Sequence, residues 1–214
     1  MAFQYLSVGE IAVILPGATA VFRRHKIDFS CGGEALITKA AERHGLDLIA
    51  LEAELHSLST PGVHAPAETA DLIAHIIERY HKAHRLKLNA AIRDAGRVET
   101  EHQTRADCPL GLSELLSRIF SGLKEHQHKE EAFLFIAMLN GAGQSLRQSI
   151  ACRMQEHKTL CGLLSDMADL TNNYTPPVAV CNTWHSLYVS CSDLDAELRE
   201  QIHLENNILF RRFL

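Results

Sequence analysis

The chain is predicted to be all-α: an up-down-up-down four-helix bundle preceded by a small helical domain. Three observations predict this. Apolar residues recur at helical spacing along most of the 214 residues. No run alternates Val, Ile, Thr and aromatic residues between turn pairs, so strand signals are weak throughout. Proline and glycine divide the second part into four long segments joined by short loops, the usual pattern of a bundle.

Residues 1–60 read as the small domain. In SVGEIAVILPGATAVFRRHKI, Ser7 and Glu10 have capping-box spacing and open a helix that Pro16-Gly17 interrupts. DFSCGG, residues 28–33, is a turn in which Gly32 and Gly33 mark unusual backbone. EALITKAAERHG is a second helix ended by Gly45, and LDLIALEAELHSL a third. STPGVHAPAE supplies a linker near residues 59–67. Residues 67–214 then hold four long helices. They are predicted at about 67–95, ending near Gly96; at 111–140, from Pro109 to Asn140-Gly141; at 143–171, ending in TNNYTPP; and at 177–213, after Pro176-Pro177. The polar stretch 97–109 is the longest loop.

Composition narrows the function. Hydrophobic residues at 46% and charged residues at 22% are enough for a packed core. A net charge of −5 argues against a nucleic-acid partner. There is no basic surface helix and no apolar span of transmembrane length, so no membrane partner is expected. MAFQYLSVGE lacks the basic and apolar regions of a signal peptide, which predicts a cytoplasmic protein. Cysteines 31, 108, 152, 161, 181 and 191 form no CxxC pair and are expected to be thiols, most of them packing residues. Histidine, with 13 residues, is several times over-represented. Neutral imidazole is a ready metal ligand, so the composition leans toward metal binding.

Bundle cores gather metal-binding carboxylates and imidazoles from facing helices, and a mixed set of the two suits iron. His126 and Glu130 are four residues apart and share a face with Leu123 and Phe133, so they are predicted to point inward. The alternative is an exposed i, i+4 ion pair. His128 and Glu131 are predicted to face outward. His157 lies near Met154, Leu160 and Cys161, where a lone core histidine is the competing assignment. In HIIERYHKAHR, His75 points away from the apolar stripe, and periodicity does not choose between His81 and His84, slightly favouring His84. Near the C-terminus, Glu205 shares the inner face with Leu194, Leu198, Ile208 and Leu209. A carboxylate there is costly unless it is paired or bound to metal. Gln201 faces inward with it, and His203 faces away.

These residues carry a resemblance. RYH in the first long helix, H-x-x-x-E-E ahead of the apolar LF in the second, EH in the third and LENN-x-LF in the fourth resemble the RIC (repair of iron centres) proteins, the iron-sulfur cluster repair di-iron proteins. DFSCGG resembles the D-aromatic-C-C-G-G signature of that family's N-terminal domain. The resemblance spans essentially the whole chain. It implies a hemerythrin-like four-helix bundle with a non-haem di-iron centre, nitric oxide or oxygen as small ligand, and damaged iron-sulfur proteins as clients. It implies His81, His126 and His157 as iron ligands, Glu130 and Glu205 as bridges, and His81 in preference to His84.

Two departures from the pattern matter. The fourth histidine of the family falls at Gln201, a weaker iron ligand, so one iron is expected to be held less firmly, with Gln201, His203 or water completing its sphere. The paired cysteines are reduced to Ser30-Cys31, which rules out a dithiol step. Cys31 is left either with a single-thiolate catalytic role or as a packed or exposed thiol, the two weighed about equally. The function implied is a stress-response protein that repairs iron-sulfur clusters. The alternatives are a nitric oxide scavenger or sensor without repair activity, and a di-iron enzyme that reduces nitric oxide. A His-rich centre with only two inward Glu favours ligand binding over turnover. The N-terminal domain is a candidate surface for a homodimer.

Overall fold

A computed structural model describes residues 3–58 and 65–214. It is all-α, and among the described residues the isolated β-pairing is a single antiparallel bridge between Ser7 and Leu36. The chain divides into two compact units, Met1–Leu72 with Arg199–Leu214, and Ile73–Leu198.

In the first unit the helices are short, and local chemistry sets each boundary. α1 spans Val8–Ile14 behind a capping box: Ser7 Oγ accepts from the Glu10 amide at 3.2 Å, and the Glu10 carboxylate accepts from the Ser7 amide at 2.7 Å. The break at Pro16-Gly17 falls where expected, with Gly17 left-handed (φ 89°) ahead of α2, Ala18–Arg24. α3, Ile37–Arg43, starts three residues later than EALI implies. Residues 35–37 are held first by the strand-like pairing Val8 N to Ala35 O (2.9 Å) and Ile37 N to Leu6 O (3.1 Å). Asp47 caps α4, Leu48–His56. Val8, Ile11, Phe22, Phe29, Ile37 and Leu55 form the core. Residues 59–64 of the expected linker lie outside the described residues.

The second unit carries the bundle. Its first helical run comprises α5 (Thr69–Ile76, whose first residues belong to the other unit), a π-helical turn at Ile77–His81, and α6 (Lys82–His102). The second run is α7 (Leu112–Lys129), a π turn at Glu130–Leu134 and α8 (Phe135–Leu139). The third is a 3-10 turn at Gly143–Leu146 and α9 (Arg147–Leu170). The fourth is α10 (Asn182–His203), whose last residues, from Arg199, belong to the first unit. Leu88, Leu116, Ile119, Leu164, Trp184 and Leu187 are among its buried apolar side chains.

Two boundaries depart from expectation. The first helix does not stop near Gly96 but continues to His102. One interior glycine costs only about 1 kcal/mol against alanine, too little to end a packed helix. The last helix begins at Asn182 rather than 177, because residues 177–181 form a turn with Ala179 left-handed (φ 60°). The third helix ends as TNNYTPP implies, with Asn172, Asn173 and Tyr174 all at positive φ. Among the described residues no helix is long and apolar enough to cross a membrane.

Candidate metal centre

Three π turns interrupt the long helices, at Ile77–His81, Glu130–Leu134 and Leu204–Leu209. Each contains a residue expected at the iron site: His81, Glu130 and Glu205. A π turn holds one residue more than an α turn, so it turns the following side chains by roughly 100° and often marks a functional site. This register shift explains two corrections. Phe133, expected inward beside His126, is 68% exposed, while Leu134 and Phe135 are buried. Glu131, expected to face outward, is only partly exposed and bonds to His81. His128 is exposed, as expected.

Within the bundle unit, His81, His126, Glu130 and His157 are all buried. The ligand atoms of His126, Glu130 and His157 lie within 4.8 Å of one another. Glu130 is the pivot. Its Oε1 lies 3.2 Å from His126 Nε2, and its Oε2 lies 3.7 Å from His81 Nε2. The two carboxylate oxygens therefore face different imidazoles. His126 Nε2 and His157 Nε2 are 3.0 Å apart. That is about the spacing of two nitrogens that share one ion at ~2.1 Å. The imidazoles thus divide two to one around Glu130.

The outer nitrogens are fixed. His81 Nδ1 is 2.8 Å from Glu131 Oε1, and His126 Nδ1 is 2.7 Å from Glu156 Oε2. Each carboxylate selects the tautomer that leaves Nε2 facing Glu130, and makes the imidazole more basic. The hydrogen bond with His81 holds Glu131 below the usual carboxylate range, against the opposing effect of its burial; the charges of His81 and Arg85 add to it. Glu156 is lowered in the same way by its bond with His126, helped by Arg153 and Lys129. These partners were missed in the sequence. Their signal was the rule that a ligating histidine gives its second nitrogen to a carboxylate. A cavity of about 230 Å³, lined by Leu123, His126, Glu156, His157, Leu160 and Leu163 among others, opens beside the paired histidines.

His84, which periodicity slightly favoured, is also fully buried, but its Nε2 faces Glu197 at 3.7 Å rather than Glu130. Glu197 is in turn bound by Arg79 (2.9 Å) and Lys87 (2.6 Å), so His84 belongs to a separate charged network.

In the first unit, Gln201, His203 and Glu205 are all buried. Gln201 Nε2 donates to Glu205 Oε1 at 3.0 Å, so the two share a face as expected. His203, expected to face away from Glu205, is nevertheless buried. Its ring meets Phe29 edge-on with centroids 5.8 Å apart, and its Nδ1 lies 2.8 Å from Asn207 Nδ2. Burial pushes its pKa down to about 4, which keeps the ring neutral near pH 7. Cys31 is half-buried on a turn organised by Asp28, whose Oδ1 accepts from the Ser30 amide and hydroxyl, each at 3.0 Å, and from the Cys31 amide at 2.9 Å.

Residues 72–213 match the hemerythrin HHE cation binding domain family, and residues 5–59 match a domain of unknown function (DUF542). The chain is 39% identical over its whole length to the "Iron-sulfur cluster repair protein YtfE" of Pectobacterium atrosepticum and to that of Edwardsiella ictaluri, covering 99% of each. The protein of the same name in Yersinia pestis is also 39% identical over the whole chain. The chain belongs to the iron-sulfur cluster repair (RIC) family. The buried His and Glu donor set fits the non-haem di-iron centre of a hemerythrin-like RIC bundle, with imidazoles on both sides of a two-faced carboxylate.

Proposed function

We propose that the chain holds a non-haem di-iron centre and uses it to repair iron-sulfur clusters damaged by nitrosative or oxidative stress. The observation that carries this is Glu130, fully buried, with each oxygen turned to a different histidine. The relatives' names, iron-sulfur cluster repair proteins, supply the activity. His126 and His157 would hold one iron and His81 the other, with Glu130 and Glu205 bridging. Gln201 is the better candidate for the remaining position, because it shares the face of Glu205 while His203 is engaged by Asn207 and Phe29. An amide oxygen is a weaker donor than imidazole, so an iron completed by Gln201 would be held less firmly. Bound iron supplies reversible ligation of nitric oxide or oxygen and a source of metal for a damaged cluster. The chain's residues position it: Glu131 and Glu156 orient the imidazoles, and the cavity beside His126 and His157 admits a small ligand.

Cys31 is the candidate for a single-thiolate step with a client protein, the Asp28 turn fixing its backbone. Work in the cytoplasm fits a chain whose six cysteines, all described, form no disulfide. A homodimer through the first unit completes the proposal, and analytical ultracentrifugation tests it.

The main test is anaerobic reconstitution with Fe(II), followed by an iron count, Mössbauer spectra and reactivation of a nitrosylated [4Fe-4S] enzyme. We expect iron uptake with two distinguishable sites, and reactivation that depends on it. A protein that takes up no iron sinks the proposal. One that binds iron but restores no cluster leaves the centre and removes the repair.

A further inference from the structure

We propose that Glu101, His102 and Cys181 form a second metal site, for a divalent transition ion of the zinc class. All three belong to the bundle unit. Glu101 and His102 close α6, and Cys181 immediately precedes α10. One ligand atom from each lies within 4.8 Å of the other two. His102 Nε2 is 3.3 Å from Cys181 Sγ. Nitrogen and sulfur bound tetrahedrally to one zinc-sized ion, at ~2.0 and ~2.3 Å, would stand about 3.5 Å apart. The pair is therefore near ligand spacing already.

The surroundings hold these groups in place. Arg97 Nε donates to Glu101 Oε1 at 2.8 Å, which orients the carboxylate and leaves its second oxygen for a metal. The His102 ring packs on Trp184 with centroids 5.2 Å apart. Arg105 lies over the Trp184 ring, 5.4 Å from its centroid, and reaches the Val178 and Ala179 carbonyls at 3.4 and 3.5 Å, bracing the turn that carries Cys181. Arg105 is itself held by Asp107 through two 2.8 Å bonds, so its charge is answered before it reaches the thiol.

The donor set selects the ion. A thiolate with an imidazole suits zinc, cobalt or ferrous iron and disfavours magnesium or calcium. Three protein ligands leave a fourth position to solvent, the arrangement of exchangeable rather than structural sites. Binding takes the thiol as thiolate and releases its proton to solvent. Glu101 is exposed and His102 and Cys181 half-buried, so the ion has a route in. Without a metal, the same contact is an ordinary thiol–imidazole hydrogen bond.

Cobalt(II) separates the two. The His and Glu donors of the proposed iron centre include no sulfur, so a thiolate-to-cobalt charge-transfer band reports only a cysteine site. Co(II) is titrated anaerobically into iron-loaded protein. We expect the band in the wild type, in Cys31→Ser and in Cys108→Ser, and its complete loss in Cys181→Ser. His102→Ala should weaken binding by more than ~10-fold, the lower bound for losing even an outer partner. Trp184 is the only tryptophan, and its emission should quench with the same midpoint as the band. No band in the wild type, or a band that survives Cys181→Ser, overturns the site. Should Cys181→Ser not fold, an unchanged affinity in His102→Ala overturns it. Failure here leaves the iron proposal untouched, because iron content is measured separately.

Discussion

At the scale of single residues, Glu130 can face two imidazoles only because Glu131 and Glu156 hold those imidazoles from behind. Both are acceptors at the Nδ1 of a buried ring whose Nε2 faces Glu130. Replacing either by Gln keeps the size but weakens the grip on the tautomer. Glu131→Gln and Glu156→Gln should each reduce iron affinity by about 10- to 100-fold with the fold intact, read by competition with a chelator and by circular dichroism. Gln201→His should act in the opposite direction, raising affinity at the labile iron by ~10-fold or more. Unchanged affinity would remove Gln201 from the site. Thiol chemistry gives a further contrast. Burial lifts Cys191 to about 12, so at pH 8 it stays a thiol and should resist iodoacetamide in the native protein, while exposed Cys152 reacts. The raised value of Cys191 also makes stability depend on pH. Below the unfolded value near 8.5 both states are protonated and nothing is lost; above it the unfolded state alone ionises, so stability falls as pH rises toward 12.

At the scale of elements, the helices were legible where one local rule decides and hidden where packing overrides it. Ser7 with Glu10, Pro16-Gly17 and TNNYTPP mark their boundaries by chemistry within a few residues. Gly96 misled because the cost of a helical glycine is smaller than the gain from the buried Ala91, Ala95 and Val98 around it. The site was legible in part for the same reason. The i, i+4 pair His126 and Glu130 ends on the first residue of the π turn, before the extra residue has shifted the register, so helical spacing turned both inward. Phe133 and Glu131 fall within the turn, where a period of 3.6 no longer applies. The Cys31 turn is the counterpart in the first unit. A Cβ on Gly33 would stand 2.7 Å from the Phe29 carbonyl oxygen, closer than atoms pack, and the contact is to backbone. Gly33→Ala should therefore cost about 1–3 kcal/mol, seen as a lower Tm. An unchanged Tm would mean that the turn can open without loss.

At the scale of the whole molecule, the last sixteen residues complete the first unit, although they are far from it in sequence. Leu209 and Phe210 are fully buried, the Asn206 and Asn207 amides bind the Ser30 and Phe29 carbonyls at 3.0 and 2.9 Å, and Arg211 meets Glu34 at 2.9 Å. Two buried apolar side chains contribute about 1.5–3 kcal/mol each and the amide bonds about 1 kcal/mol each. Small domains have only about 5–15 kcal/mol of net stability, so removing this segment takes a large share of it. The boundary at residue 60 hides this, because a linker in the sequence shows where the chain crosses over and not which segments pack together. A fragment of residues 1–72 should therefore be poorly folded alone, with weak helical circular dichroism and no cooperative melt. Adding a peptide of residues 199–214 in excess should restore helix and a melting transition whose midpoint rises with peptide concentration. The same peptide with both Asn206→Ala and Asn207→Ala should restore less. A fragment 1–72 that melts cooperatively by itself, indifferent to the peptide, would show that the N-terminal part is a complete domain.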